Sequence, residues 1–266
     1  MCLIAFAWEA SAEYPFALVA NRDEFHARPT QALGWWPNTQ MVAGRDLQAG
    51  GTWLGLTQGG RFAAVTNVRE GNVEQPARQS RGALVTHVLA SQAPLDTLQT
   101  ELLQMGQHTA GFNLLFGDLF GADHELRYLS NRPSVGNLPG VGETIDAGVY
   151  ALSNAGLHDD WPKTREAEIA LKRALRLRHP DGFWDVTADR RVAEPDDLPD
   201  TGVGADIERF LSAAFIVGDN YGTRSTIRLL GQPKSSISIS ERRFNPNGEL
   251  TGCSQVRVTR NGPDSE

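Results

Sequence analysis

Two cysteines in 266 residues, Cys2 and Cys253, leave no material for a disulfide framework or a cysteine-rich zinc site. Lysine is almost as scarce: it stands only at Lys163, Lys172 and Lys234, so arginine supplies nearly all of the 25 basic side chains. No Lys/Arg-rich block occurs and the formal net charge is −7, which removes the electrostatic footprint of a nucleic-acid or anionic-membrane binder. No apolar run approaches the ~20 residues that a membrane span needs. The opening Met1-Cys2-Leu3-Ile4 carries no basic region and soon meets Glu9, unlike a signal peptide. Phosphate-binding loops, G-x-G-x-x-G turns, H-E-x-x-H helices and G-x-S-x-G elbows are all missing. The six histidines are scattered without helical ligand spacing, so no metal site is expected. These absences point to a soluble, cytoplasmic globular protein with no integral membrane segment and no nucleic-acid partner.

What is present is a globular composition, 40% hydrophobic and 21% charged, long enough to bury a sizeable core. Short apolar or alternating runs bounded by Gly, Pro and polar clusters predict strands at Leu3–Ala7, Phe16–Ala20, Thr52–Leu56 and Phe62–Thr66. A helical stretch covers Gly82–Ser91, and Leu95, Leu98, Leu102 and Met105 then recur on one helix face. Strands return at Phe112–Gly117, Glu125–Leu129 and Val149–Ser153. A helix opens near Pro162, where proline suits the first turn, and runs to Leu177. An exposed loop at Val192–Gly204 and a short helix over 206–213 precede strands at Phe215–Gly218, Ser225–Leu230, Ser235–Arg242 and Ser254–Thr259. The segregated blocks predict an α+β fold with mainly antiparallel sheets, one domain over residues 1–262 and a frayed tail at 263–266.

Cys2 is the candidate nucleophile. Removal of Met1 would place its thiol beside a free α-amine that titrates at about 7.7–8.0, so one residue would supply nucleophile and base. The plainer alternative is a small apolar side chain at the start of a buried strand. Such a nucleophile needs a carboxylate for its amine and donors for an oxyanion. A hairpin of the first two strands would return Asp23 close to residue 2. Asn67 and Asn154 end strands and Arg224 opens one. Each alone would serve equally as a turn cap.

The run Asn21-Arg22-Asp23-Glu24 resembles the signature of the NRDE family, which includes transport and Golgi organisation protein two. The resemblance continues in Gly50-Gly51-Thr52-Trp53-Leu54-Gly55, Arg78 to Val85, Leu152-Ser153-Asn154, Trp161-Pro162-Lys163 and Tyr221–Thr226. More distantly the family is similar to N-terminal-nucleophile hydrolases of the bile-salt hydrolase and penicillin V acylase type. That likeness implies a four-layer αββα sandwich and cleavage of linear amides. It also implies roles: Cys2 as nucleophile, Asp23 positioning its amine, and Asn67 holding the oxyanion. Asn154 would hold the amine or the substrate, and Arg224 would stand behind the thiol. The relatives carry an arginine three residues before the aspartate, where this chain has Ala20. Arg22 could supply that charge, although strand alternation points it away from Asp23.

Arg22, Glu24, His26 and Trp53 are the candidate ligand-binding side chains. Glu24 could pair with Arg28 or Arg45, His26 could ligate a haem or sit solvated on a loop, and Trp53 could fill the core or line a cleft. Two function classes follow. One is a cysteine amidohydrolase of a small or lipidic amide that requires no cofactor. The other, which the family resemblance implies, is a non-enzymatic carrier of a small-molecule or lipidic ligand such as haem, acyl-coenzyme A or lipid, with Cys2, His26 or His158 as haem ligands.

Overall fold

The first strand, β1 (Cys2–Trp8), is buried along its whole length because its two faces go to different layers. Leu3, Ala5 and Ala7 pack beneath a helix, while Ile4, Phe6 and Trp8 meet a second sheet. A strand covered on both sides reads as a continuous apolar run rather than an alternating one. That is why Leu3–Ala7 carries so strong a strand signal.

The computed structural model describes residues 2–71, 79–120, 124–133, 142–232 and 236–259. After β1 come β2 (Phe16–Phe25), β3 (Thr30–Trp35), β4 (Met41–Asp46), β5 (Leu54–Thr57) and β6 (Arg61–Asn67). Helices α1 (Arg81–Ala90) and α2 (Leu95–Gly106) lead to β7 (Phe112–Asp118), β8 (Glu125–Ser130), β9 (Glu143–Thr144) and β10 (Gly148–Leu152). Then follow α3 (Pro162–Leu177), α4 (Ala205–Phe210), β11 (Tyr221–Gln232), β12 (Ser236–Phe244) and β13 (Leu250–Thr259).

The strands form two antiparallel sheets, ordered β10-β1-β2-β11-β12-β13 and β3-β4-β5-β6-β7-β8-β9. Phe6, Phe16, Leu18, Leu56, Phe62 and Tyr128 fill the space between them. Ala167, Leu171 and Ala174 of α3 cover the outer face of the first sheet. Leu84, Val88, Leu98 and Leu102 of α1 and α2 cover the second. The chain is therefore an α+β, four-layer αββα sandwich, as expected. Among the described residues, no helix is long and apolar enough to cross a membrane.

Some elements depart from the sequence reading. Strands β3 and β4 were not anticipated, since β3 is Thr-Gln-Ala-Leu-Gly-Trp and buries only Leu33. Phe215–Gly218 is irregular: the Phe215 amide donates to the Asp189 carbonyl and the Ile216 amide to the Thr223 side chain, so neither joins a ladder. β11 instead begins at Tyr221 and carries a bulge between Thr223 and Ser225. The predicted tail at 263–266 lies outside the described residues.

Antiparallel order decides where function can sit. The start of β1, the ends of β2, β6 and β10 and the start of β11 all fall at one end of the sandwich.

Candidate functional site

In the β1–β2 pair, Cys2 lies opposite Arg22. Residues opposite one another share a face, so the thiol and the guanidinium both enter the space between the sheets. They line a cleft of about 200 Å³ together with Glu24, Trp53, Asn67 and Arg81. Cys2 is 9% exposed. Burial pushes its thiol pKa up and the Asp23 carboxylate adds to this, while Arg22 and a hydrogen bond from the Asp23 backbone N–H act in the opposite sense.

Alternation does place Arg22 and Asp23 on opposite faces, and this puts the arginine on the thiol's side. The Arg22 guanidinium stacks on Trp53 at 4.4 Å and donates to Thr30 Oγ1 at 3.2 Å. Trp53 thus does both things expected of it, packing against the core and lining the cleft. Its ring occupies space that a side chain at residue 44 would take, since a Cβ on Gly44 would stand 2.4 Å from Trp53 Cη2.

Asp23, on the helix-facing side, is 2% exposed. Its carboxylate accepts from Thr223 Oγ1 at 2.6 Å, and the Tyr221 hydroxyl donates to its main-chain carbonyl at 3.1 Å. Burial raises the carboxyl pKa, opposed by the Thr223 bond and by the nearby cations Lys163 and Arg22. Lys163 is itself buried, donates to the Leu211 carbonyl at 2.9 Å, and has its pKa pulled down to about 8, chiefly by burial and then by Arg69. Arg69 pairs with the buried Glu208, which also accepts from Thr201. Arg69 and Lys163 both stand over the Trp161 ring, at 4.9 and 5.8 Å.

The two asparagines tie the sheets together at the same end. Asn154 Nδ2 donates to the Asn67 carbonyl at 2.9 Å, and the Asn154 carbonyl accepts from the Arg69 amide at 2.7 Å. Ser153 Oγ reaches Cys2 O at 3.3 Å, and Thr66 Oγ1 donates to Ser153 O at 2.6 Å. Asn67 lines the cleft as well, and its main-chain carbonyl is the atom that Asn154 holds. Asn154 does not line that cleft; it holds the strand end that does.

The remaining expected residues fall apart from the thiol. Arg224 is not on the cleft wall: Nη1 donates to the carbonyls of Phe25 at 2.8 Å and Arg28 at 3.1 Å, clamping the turn after β2. His26 Nε2 lies 3.0 Å from the Gly218 carbonyl, also off the cleft, and His158 faces Glu143 at 3.0 Å. Glu24 does line the cleft, with Arg28 at 3.7 Å and Arg22 at 3.9 Å, whereas Arg45 stacks on Trp36 instead. Asn21 is fully committed: Nδ2 donates to the carbonyls of Thr187 and Ala214, and Oδ1 accepts from Thr187 and Thr226. Among the described residues, no group of three His, Cys, Asp or Glu comes together to hold a metal ion.

Sequence reasoning assigned no role to Lys163, Thr223, Asp46 or Arg81. Lys163 had a signal, being one of three lysines and the third residue of Trp161-Pro162-Lys163. Arg81 sits inside the Arg78–Val85 segment and reaches the cleft from the first turn of α1.

The model of one family, Transport and Golgi organisation 2, matches residues 1–246. The chain belongs to that family. It is 29% identical over 264 residues to the Transport and Golgi organization protein 2 homolog of Homo sapiens, covering 91% of this chain and 92% of that protein. The Drosophila melanogaster Transport and Golgi organization protein 2 is 26% identical over 190 residues, 66% of this chain and 65% of that one. Among solved structures, a Caenorhabditis elegans N-acylethanolamine-hydrolyzing acid amidase ortholog is similar at TM-score 0.49 and 12% identity, over 88% of this chain and 94% of the other. The C2A mutant of a conjugated bile acid hydrolase from Clostridium perfringens is similar at TM-score 0.43 and 8% identity, over 98% and 93%.

Proposed function

We propose that this member of the Transport and Golgi organisation 2 family is a cysteine amidohydrolase acting on the linear C–N bond of a small or lipidic amide. The reading is supported by one juxtaposition: Cys2 and Asn67 line the same cleft, while Asp23 is held by Thr223 behind the start of β1. Once Met1 is removed, the Cys2 α-amine takes the thiol proton and the sulfur attacks the substrate carbonyl carbon. Asn67 Nδ2 donates to the oxyanion. The C–N bond breaks as the α-ammonium returns its proton to the leaving nitrogen, giving a thioester and a free amine. Water, deprotonated by the same α-amine, then hydrolyses the thioester. Asp23 holds the ammonium form in place through each half of the cycle.

The intact mass of protein from its native host tests the first step. A mass lighter by one methionine is expected, and retained Met1 overturns the mechanism. Incubation with a small activated amide should then give an acyl adduct on Cys2 that the Cys2→Ala variant lacks; equal turnover by that variant overturns the reading as well.

A second reading, a carrier without turnover, is favoured by the buried Cys2 thiol, whose raised pKa leaves little thiolate at neutral pH. It predicts saturable binding of haem or an acyl-coenzyme A that survives Cys2→Ala. A titration with no Soret shift and no saturation counts against it.

A further inference from the structure

Five ionised side chains line the cleft besides Asp23, and four of them are paired with one another. Arg28 Nε donates to Asp46 Oδ2 at 2.7 Å and lies 3.7 Å from Glu24. Arg22 stands 3.6 Å from the same Asp46 oxygen and 3.9 Å from Glu24. The fifth is Arg81. Among the described residues it forms no ion pair, and its one hydrogen bond runs from Nη1 to the Gly111 carbonyl at 3.1 Å.

Among the described residues, the carboxylates near enough to influence Arg81 are engaged elsewhere. Glu70 is gripped by Arg132, through Nε at 2.5 Å and Nη2 at 2.9 Å, and also accepts from the Gly111 amide at 3.0 Å. Glu24 accepts from the Phe25 amide and faces Arg22 and Arg28. Arg81 therefore brings a half-buried, permanently charged fork into the cleft that holds Cys2, with donors left over. A cation kept out of water and away from its own protein's carboxylates is costly unless a ligand completes it. A planar acceptor with two oxygens matches that fork, and a carboxylate is such an acceptor. The cleft, at about 200 Å³, lies below the ~300–1,000 Å³ typical of drug-sized sites, so the carboxylate would sit within a few bonds of the scissile amide.

We infer that Arg81 is a specificity-determining residue that binds a carboxylate carried by the small amide positioned at Cys2. The inference rests on the amidohydrolase reading for the amide, and on the geometry alone for the anion.

Two ligand pairs test it, each differing only in charge. N-butanoylglycine against N-butanoylglycinamide places the carboxylate on the amine side, and succinamate against succinamide places it on the acyl side. Binding is measured by calorimetry on the Cys2→Ala protein, which cannot turn over. In at least one pair the acid should bind about ten- to a hundredfold more tightly than its neutral partner. Arg81→Met should erase that preference and Arg81→Lys should restore part of it. Equal binding within both pairs, no binding at all, or a preference that survives Arg81→Met overturns the inference. Turnover by the Cys2-containing protein separates this from the hydrolase reading. If an Arg81-dependent preference exists but neither amide is cleaved, the carboxylate site stands and the hydrolase falls. If acid and neutral amides bind alike and are cleaved alike, the hydrolase stands and the carboxylate site falls.

Discussion

Cys2 and Arg22 face one another across the β1–β2 pair, with thiol and guanidinium on the same side of the sheet. A positive charge there favours the thiolate against the cost of burial. Arg22→Met should push the thiol pKa further up and slow iodoacetamide labelling of Cys2 at pH 8. Arg22→Lys should keep part of the rate. Labelling that is identical in wild type and Arg22→Met would deny the arginine this role.

Lys163 links the site to stability through pH. Its pKa falls from 10.5 in the unfolded chain to about 8 in the fold, so the folded state releases this proton first. The unfolded chain then binds more protons between those values, and stability must rise with pH across that window. Relative to Lys163→Met, the wild type should gain up to about 3 kcal/mol between pH 8 and pH 10.5, and gain nothing between pH 6 and pH 7. Urea unfolding of both proteins across that range measures it. Arg69 faces Lys163 and favours loss of its proton, whereas Asp23, Cys2 and Glu208 favour its retention, and a flat difference would mean that these three outweigh burial and Arg69.

Asn154 and Asn21 are both buried, yet they should fail differently. Asn154→Ala removes the donor to the Asn67 carbonyl and should cost about 1–3 kcal/mol while also changing Cys2 labelling, because the strand ends around Cys2 and Asn67 loosen. Asn21→Ala strands two main-chain carbonyls and two hydroxyls, so it should cost at least as much, about 3 kcal/mol, with little change in Cys2 labelling. Denaturation and labelling run on the same two variants decide it. A labelling change in Asn21→Ala equal to that in Asn154→Ala would erase the distinction.

Gly51 and Gly82 meet backbone to backbone where α1 docks beside the cleft. A Cβ on Gly51 would stand 2.8 Å from the Gly82 carbonyl carbon and oxygen, and neither atom belongs to a flexible side chain. Gly51→Ala should therefore cost about 1–3 kcal/mol and displace α1, which carries Arg81. Gly34→Ala, whose added methyl meets nothing within 4 Å, is the matched control and should leave the midpoint nearly unchanged. Equal midpoints for the two variants would disprove the close-packing argument.

The strands buried on both faces were easy to read, because β1 and β6 present unbroken apolar runs. The edge strand β3 was not, since a strand that buries one side chain leaves almost no pattern. At the site, hairpin logic brought Asp23 to Cys2 and strand ends brought Asn67 and Asn154 nearby. Arg224 misled because the bulge between Thr223 and Ser225 shifts the register just where a side chain's direction is decided. The seat of Asp23 is Thr223, the residue before it, and no period of two predicts an irregularity of one. Within Asn21-Arg22-Asp23-Glu24 the four residues divide their work by face. Asn21 and Asp23 anchor to the helix side, and Arg22 and Glu24 open to the cleft.

The bond between Thr223 and Asp23 spans 200 positions of chain. On the ribosome, Cys2 and Asp23 are made well before β11, the strand that supplies Thr223. Pairing β2 with β11 is a long-range closure that waits for that synthesis and comes late in folding. Any amino-terminal fragment ending before Tyr221 therefore carries the thiol without the buried seat for Asp23. The seat of Asp23 is thus a property of the completed sheet, built only when β11 closes on β2.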